Sequence, residues 1–153
     1  MAHITWTRDL NTGIDVIDGQ HKRIVDYINQ LHDARQMLDR KAVGDVIDEV
    51  IDYTQSHFSF EEELLQEAGY PFIRPHQKVH EVFVKRVREY QLRYEAGEDI
   101  SAELHALLKR WLLGHIKNDD AAYVETVKAH TRSLDSAHHE GWLSRSIGRI
   151  FGH

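Results

Sequence analysis

The chain has 153 residues, enough for one domain, and a net charge of −6 that argues against nucleic acid, whose binding needs clustered positive charge. It has no cysteine, which excludes disulfides, iron–sulfur clusters and thiol chemistry, so nitrogen and oxygen must supply any metal ligands. The opening MAHITWTRDL lacks the basic and apolar regions of a signal peptide, and no apolar run approaches the roughly 20 residues of a membrane span, so a soluble, cytoplasmic protein is expected.

The elements predict an all-α fold. Prolines occur only at Pro71 and Pro75, which leaves long helices possible. Residues 1–17 show no helical period and contain an Asn-Thr-Gly turn, so they read as an N-terminal arm. From Asp18, the residues Ile24, Val25, Ile28, Leu31 and Leu38 follow a 3.6-residue period, giving a helix to about Met37 or Leu38. A second helix runs from about Asp45 through Val46, Ile47, Val50, Ile51 and Tyr53 to about Glu67, with Gly69 as a natural stop and Pro71 beyond it. The third starts near Ile73–Pro75, continues through Val79, Val82, Phe83, Val87 and Tyr90, and ends before Gly97. Ser101 is the expected N-cap of the fourth, which passes through Leu104, Leu107, Leu108, Trp111 and Leu112 to about His130. Connections this short make neighbours antiparallel, so residues 1–130 are expected to form an up-down-up-down four-helix bundle with an N-terminal arm. Residues 131–153 form an extension in which Trp142, Leu143, Ile147, Ile150 and Phe151 share one face of a short C-terminal helix, with Arg145 and Arg149 on another. The simple expectation is that this helix packs on the bundle; docking of a partner through 138–151 is the sharper one.

Each helix carries metal-type ligands. They are His21, then His57 with Glu61, His76 with His80, and His115 with Asp120. Residues four apart on a helix lie ~40° apart and face one way, so His57/Glu61 and His76/His80 each form a two-toothed claw. His115 and Asp120 are five apart, ~140° on an ideal helix, and Asp119 fits the simple rule better. A bridging carboxylate with a longer reach, or a distorted helix near Gly114, would admit Asp120, and spacing leaves that choice open. Topology supplies an independent test: starts of the first and third helices share an end with the later parts of the second and fourth. All the ligands therefore fall at one level. Five imidazoles, two bridging carboxylates and a bridging oxide or hydroxide would fill about eleven of the twelve positions on two six-coordinate metals, leaving one open. The remaining histidines, His3, His32, His105, His130, His138, His139 and His153, read as surface or ordinary core residues. Val84 stands where a His-Glu-x-x-His zinc protease motif beginning at His80 would need its second histidine.

The pattern His, His-x-x-x-Glu, His-x-x-x-His, His-x-x-x-x-Asp, with the flanking segments IDGQH, GYPFIRPH and WLLGHIKNDD, closely resembles the hemerythrin family, in particular its single-domain bacterial members. The resemblance covers roughly residues 4–128 and favours Asp120 over Asp119. It implies a non-heme diiron centre of two iron ions, with His76, His80 and His115 on one iron and His21 and His57 on the other. Glu61 and Asp120 would bridge both, and molecular oxygen would bind at the open position of the two-histidine iron. Ile24, Phe58, Trp111, Leu112 and Ile116 would wall an apolar oxygen pocket, and a site poor in carboxylates favours reversible binding over hard oxidation. The implied function is oxygen storage, carriage or delivery without catalysis. The alternatives are a diiron enzyme acting on nitric oxide, peroxide or ferrous iron, and a sensor that signals to a separate partner.

Overall fold

The computed structural model describes residues 3–133, and within them the chain forms a helical bundle. Helix α1 spans Asp15–Gln36, α2 Arg40–Glu67, α3 Ile73–Glu95 and α4 Ser101–Gly114. The fourth column then continues as a π segment, His115–Asp120, a 3-10 turn, Ala121–Tyr123, and α5, Val124–Ser133. Helix α1 packs on α2 and α4, and α2 packs on α3. The extension helix expected over 138–151 lies outside the described residues.

Three boundaries differ from the expectations, each for a local reason. Helix α1 begins at Asp15 rather than Asp18, because the Asp18 carboxylate turns back on the arm. It accepts from Thr12 N at 2.8 Å, Thr12 Oγ1 at 2.7 Å and Gly13 N at 3.1 Å. Helix α2 starts at Arg40, not near Asp45, since Asp39 caps it by accepting from Ala42 N at 3.1 Å. Gly44 is tolerated inside that helix because Tyr94 of α3 packs over it, with ring carbon Cε1 3.3 Å from where a Cβ would stand. At the start of α4 the N-cap position is Ile100, which offers no side-chain cap, and Asp99 just before it ties the entry: its Oδ1 accepts from Ser101 N at 3.3 Å and from Ser101 Oγ at 2.8 Å, so Ser101 is the first helical residue and not the N-cap.

Gly69 ends α2 as expected. At φ 72° it lets Tyr70 N reach Leu65 O at 3.0 Å and Gly69 N reach Gln66 O at 3.1 Å, closing the last turn. The end of α1 uses the same left-handed step but places Leu38 there, at φ 55° and 92% exposed. This is a strained position for a side chain that buries almost nothing.

The core has two apolar parts with a polar layer between them. The larger cluster includes Ile24, Ile28, Leu31, Ile47, Val50, Phe58, Phe83, Leu104, Leu108, Leu112 and Ile116. The smaller one gathers Ile17, Phe60, Leu64, Leu65, Tyr70, Tyr123 and Val127. Along each helix the expected ligands fall between residues of the two clusters. Packing of the apolar faces therefore fixes the level at which the polar layer forms.

Candidate metal centre

All seven expected ligands are brought together and all are buried: His21, His57, Glu61, His76, His80, His115 and Asp120. Glu61, His76, His80 and His115 offer ligand atoms within 4.8 Å of one another, and His21, His57 and Glu61 form a second such group. Glu61 belongs to both because its two oxygens face opposite ways. Its Oε1 lies 2.6 Å from His76 Nε2, 3.1 Å from His80 Nε2 and 3.6 Å from His115 Nε2. Its Oε2 lies 3.4 Å from His57 Nε2 and 4.0 Å from His21 Nε2. Asp120 divides in the same sense, with Oδ1 3.0 Å from His115 Nε2 and 3.4 Å from His76 Nε2, and Oδ2 2.9 Å from His21 Nε2.

Asp120 reaches the cluster because the fourth column is not an α-helix at this point. Over His115–Asp120 the backbone is π-helical, and Ala121 N bonds to Ile116 O, five residues back. In that repeat, residues five apart stand over one another, so His115 and Asp120 share a face. Asp119 takes a different role: its Oδ2 is 2.9 Å from the outer ring nitrogen, Nδ1, of His115.

Three further residues hold the ligands from behind. Gln20 Oε1 lies 2.6 Å from His57 Nδ1, and Glu62 Oε2 2.9 Å from His80 Nδ1. Such contacts fix which ring nitrogen faces inward. The Tyr123 hydroxyl, fully buried, donates to Glu61 Oε2 at 3.1 Å. Gln20, Glu62, Asp119 and Tyr123 were not among the expected site residues. The available signal was adjacency, since three of them neighbour a ligand in sequence, although Gln20 and Glu62 serve ligands on other helices.

The five expected pocket residues divide. Phe58 stacks on His80, with ring centroids 3.8 Å apart, and sits 5.8 Å from His57. Trp111 stacks on His115 at 4.5 Å, so both aromatic rings lie chiefly against the three-histidine group. Ile24, Leu112 and Ile116 are buried in the larger apolar cluster.

The electrostatics of the metal-free chain are those of a compressed charge cluster. Burial pushes the His57 pKa down, and the Glu61 charge only partly opposes it. Burial also disfavours charge on His80 and His115. For His80 the Glu61 and Glu62 carboxylates outweigh it and raise the pKa. For His115, Asp120, Asp119 and Glu61 raise it well above the ordinary value. Burial would raise the Glu61 and Asp120 carboxyls, yet the surrounding histidines hold Glu61 well below and Asp120 below the usual range. Burial, then the Asp120 and Glu61 charges, drive the Tyr123 phenol well above its ordinary pKa.

A cation fits this layer. Among the described residues, both ring nitrogens of His21, Nε2 of His57 and both oxygens of Asp120 are buried without a hydrogen-bond partner. Orphaned polar atoms at such density are costly unless something satisfies them. Imidazole nitrogens and carboxylate oxygens are the donor types that iron accepts.

The comparisons agree with the donor pattern. Residues 12–127 match the family model described as "Hemerythrin HHE cation binding domain". A bacteriohemerythrin of Stenotrophomonas maltophilia is 58% identical over 153 residues, covering 99% of this chain and 100% of its own length. One of Methylococcus capsulatus is 34% identical over 80% of this chain and 95% of its own. A solved wild-type hemerythrin superposes with a TM-score of 0.79 at 31% identity, over 82% of this chain and 98% of its own. With most of its length matched by the family model and by these relatives, the chain belongs to the hemerythrin family.

Proposed function

We propose that this chain binds dioxygen reversibly at a pair of irons, for storage, carriage or delivery. His76, His80 and His115 would hold one iron, His21 and His57 the other, and Glu61 and Asp120 would serve both. The observation that carries this reading is the division of each carboxylate. One oxygen of Glu61 and one of Asp120 face the three-histidine group, and the other oxygen of each faces the two-histidine group. One cation would leave half of those oxygens unused; two use all of them.

When bound, the irons supply two electrons that dioxygen borrows and returns on release. The remainder falls to the protein. His21 and His57 give their half two imidazoles against three on the other, which would leave a position for dioxygen there. Gln20, Glu62 and Asp119 hold their rings by the outer nitrogens, and the Tyr123 hydroxyl fixes one oxygen of Glu61. Ile24, Leu112 and Ile116 are buried apolar neighbours of this layer in sequence. We place them around the open position, where they would exclude water and disfavour separation of charge. Phe58, stacked on His80, and Trp111, stacked on His115, brace the three-histidine group.

The test is an iron count on ligand variants. The purified chain should hold about two irons. His80→Ala should lose iron, and His32→Ala, three helical turns from His21, should keep the full complement. Equal iron loss in both variants would overturn the assignment.

A further inference from the structure

The two halves of the centre are backed differently. On the three-histidine side, the outer nitrogens of two rings face carboxylates: His80 Nδ1 lies 2.9 Å from Glu62 Oε2, and His115 Nδ1 lies 2.9 Å from Asp119 Oδ2. On the two-histidine side, among the described residues, the backing is an amide, Gln20 Oε1, 2.6 Å from His57 Nδ1. The His21 Nδ1 is buried with no hydrogen-bond partner among the described residues. A ring whose Nε2 faces a metal carries its proton on Nδ1. A carboxylate accepting that proton's hydrogen bond draws it away from the ring and makes the inner nitrogen a stronger donor. An amide oxygen is neutral and does so less.

We propose that Glu62 and Asp119 act as positioning residues that make the three-histidine half the electron-rich one. The first electron to leave a reduced pair then comes from that half, and the Gln20-backed half stays ferrous longer. The inference rests on the two-iron reading above. It makes the half with the open position the one that retains its electron, and the carboxylate-backed half the readier donor. Glu62 and Asp119 side chains are 27% and 37% exposed, so solvent screens part of their charge and the effect of each is moderate.

Mediated electrochemistry on the iron-loaded full chain tests this. Each step passes one electron to the electrode, from two ferrous ions to one ferrous and one ferric, then to two ferric. Glu62→Gln and Asp119→Asn should each raise the first midpoint potential. Gln20→Glu should instead lower the second. In all three variants the comproportionation constant should fall about tenfold, a narrowing of about 59 mV for a one-electron couple. The electron paramagnetic resonance of the half-oxidised state should change in the same variants. A role confined to holding the fold would not narrow the gap in Gln20→Glu, which adds charge to an intact contact. The proposal is overturned if both carboxylate variants keep two irons with an unmoved first potential, or if Gln20→Glu shifts the first potential and not the second. Should a carboxylate variant bind fewer than two irons, the Gln20→Glu result decides alone. A wild-type chain that binds fewer than two irons would instead sink the two-iron reading, whatever the variants do.

Discussion

Replacing Tyr123 by phenylalanine removes one hydroxyl from the centre of the bundle and leaves the ring in place. Tyr123 is fully buried, and its O–H donates to Glu61 Oε2 at 3.1 Å. A hydrogen bond to an ionised partner contributes about 1.5–3 kcal/mol net, and one at the long end of the distance range belongs in the lower part, about 1.5–2 kcal/mol. That figure applies to the metal-stripped chain, where Glu61 is held ionised by histidines alone. With two cations against the carboxylate, the hydroxyl meets a largely compensated charge, and its share falls to about 0.5–1.5 kcal/mol, the range of a neutral pair. In a chain of this size 1 kcal/mol moves the unfolding midpoint by about 2–4 °C. Stripped Tyr123→Phe should therefore melt roughly 3–8 °C below stripped wild type, with a smaller deficit after iron is restored. By linkage, iron affinity read by competition with a chelator should be unchanged or rise by up to about tenfold, because the variant loses less in the loaded form than in the stripped one. Calorimetry on both forms decides the matter. Equal melting of the stripped proteins, or a larger deficit in the loaded ones, would show that the hydroxyl does not anchor the Glu61 carboxylate.

Leu112→Ala should cost about 2–5 kcal/mol, as should Leu108→Ala one turn earlier, but only the Leu112 change should accelerate autoxidation and azide binding to the ferric form. Equal kinetics in the two variants would remove Leu112 from the pocket wall. Leu38→Gly should stabilise the chain by roughly 0.5–1 kcal/mol, because relief of the left-handed strain exceeds the entropy that glycine adds to the unfolded chain. A lower midpoint on thermal unfolding would contradict the strain at φ 55°. Burial, with help from neighbouring His32, Arg35, Lys109 and His3, lowers the pKa of His105. The unfolded chain then takes up that proton more readily, so this contribution is present above the ordinary histidine value of 6.5 and is lost as pH falls through the folded value. Denaturant titrations of His105→Gln should show a shallower loss of stability below neutrality than wild type, and parallel curves would refute it.

The sequence was most legible where α-helical arithmetic holds. His57/Glu61 and His76/His80 sit on regular helices, and their four-residue spacing alone placed each pair on one face. It was least legible at His115 and Asp120, where the period changes from α to π within one column. Nothing in the residues HIKNDD announces that change, so spacing favoured Asp119, which the π turn sends to the outer nitrogen of His115. The start of α2 was obscured because its first turn is polar and Gly44 interrupts it; the compensation, Tyr94, comes from another helix. Gln20 and Glu62 were missed for a related reason. Each is next to a ligand in sequence but supports a ligand on a neighbouring helix, a pairing set by how the bundle packs.

The central claim is that oxygen comes and goes without being consumed. The direct measurement is oxygen titration of the anaerobically reduced, iron-loaded protein, followed by removal under argon and a second addition. The account predicts one dioxygen taken up per two irons, with a visible charge-transfer absorption that appears with oxygen, fades under argon and returns over repeated cycles. Oxidation to a ferric form in a single exposure, or oxygen consumed continuously in the presence of a reductant, would contradict it and move the protein to the diiron enzymes.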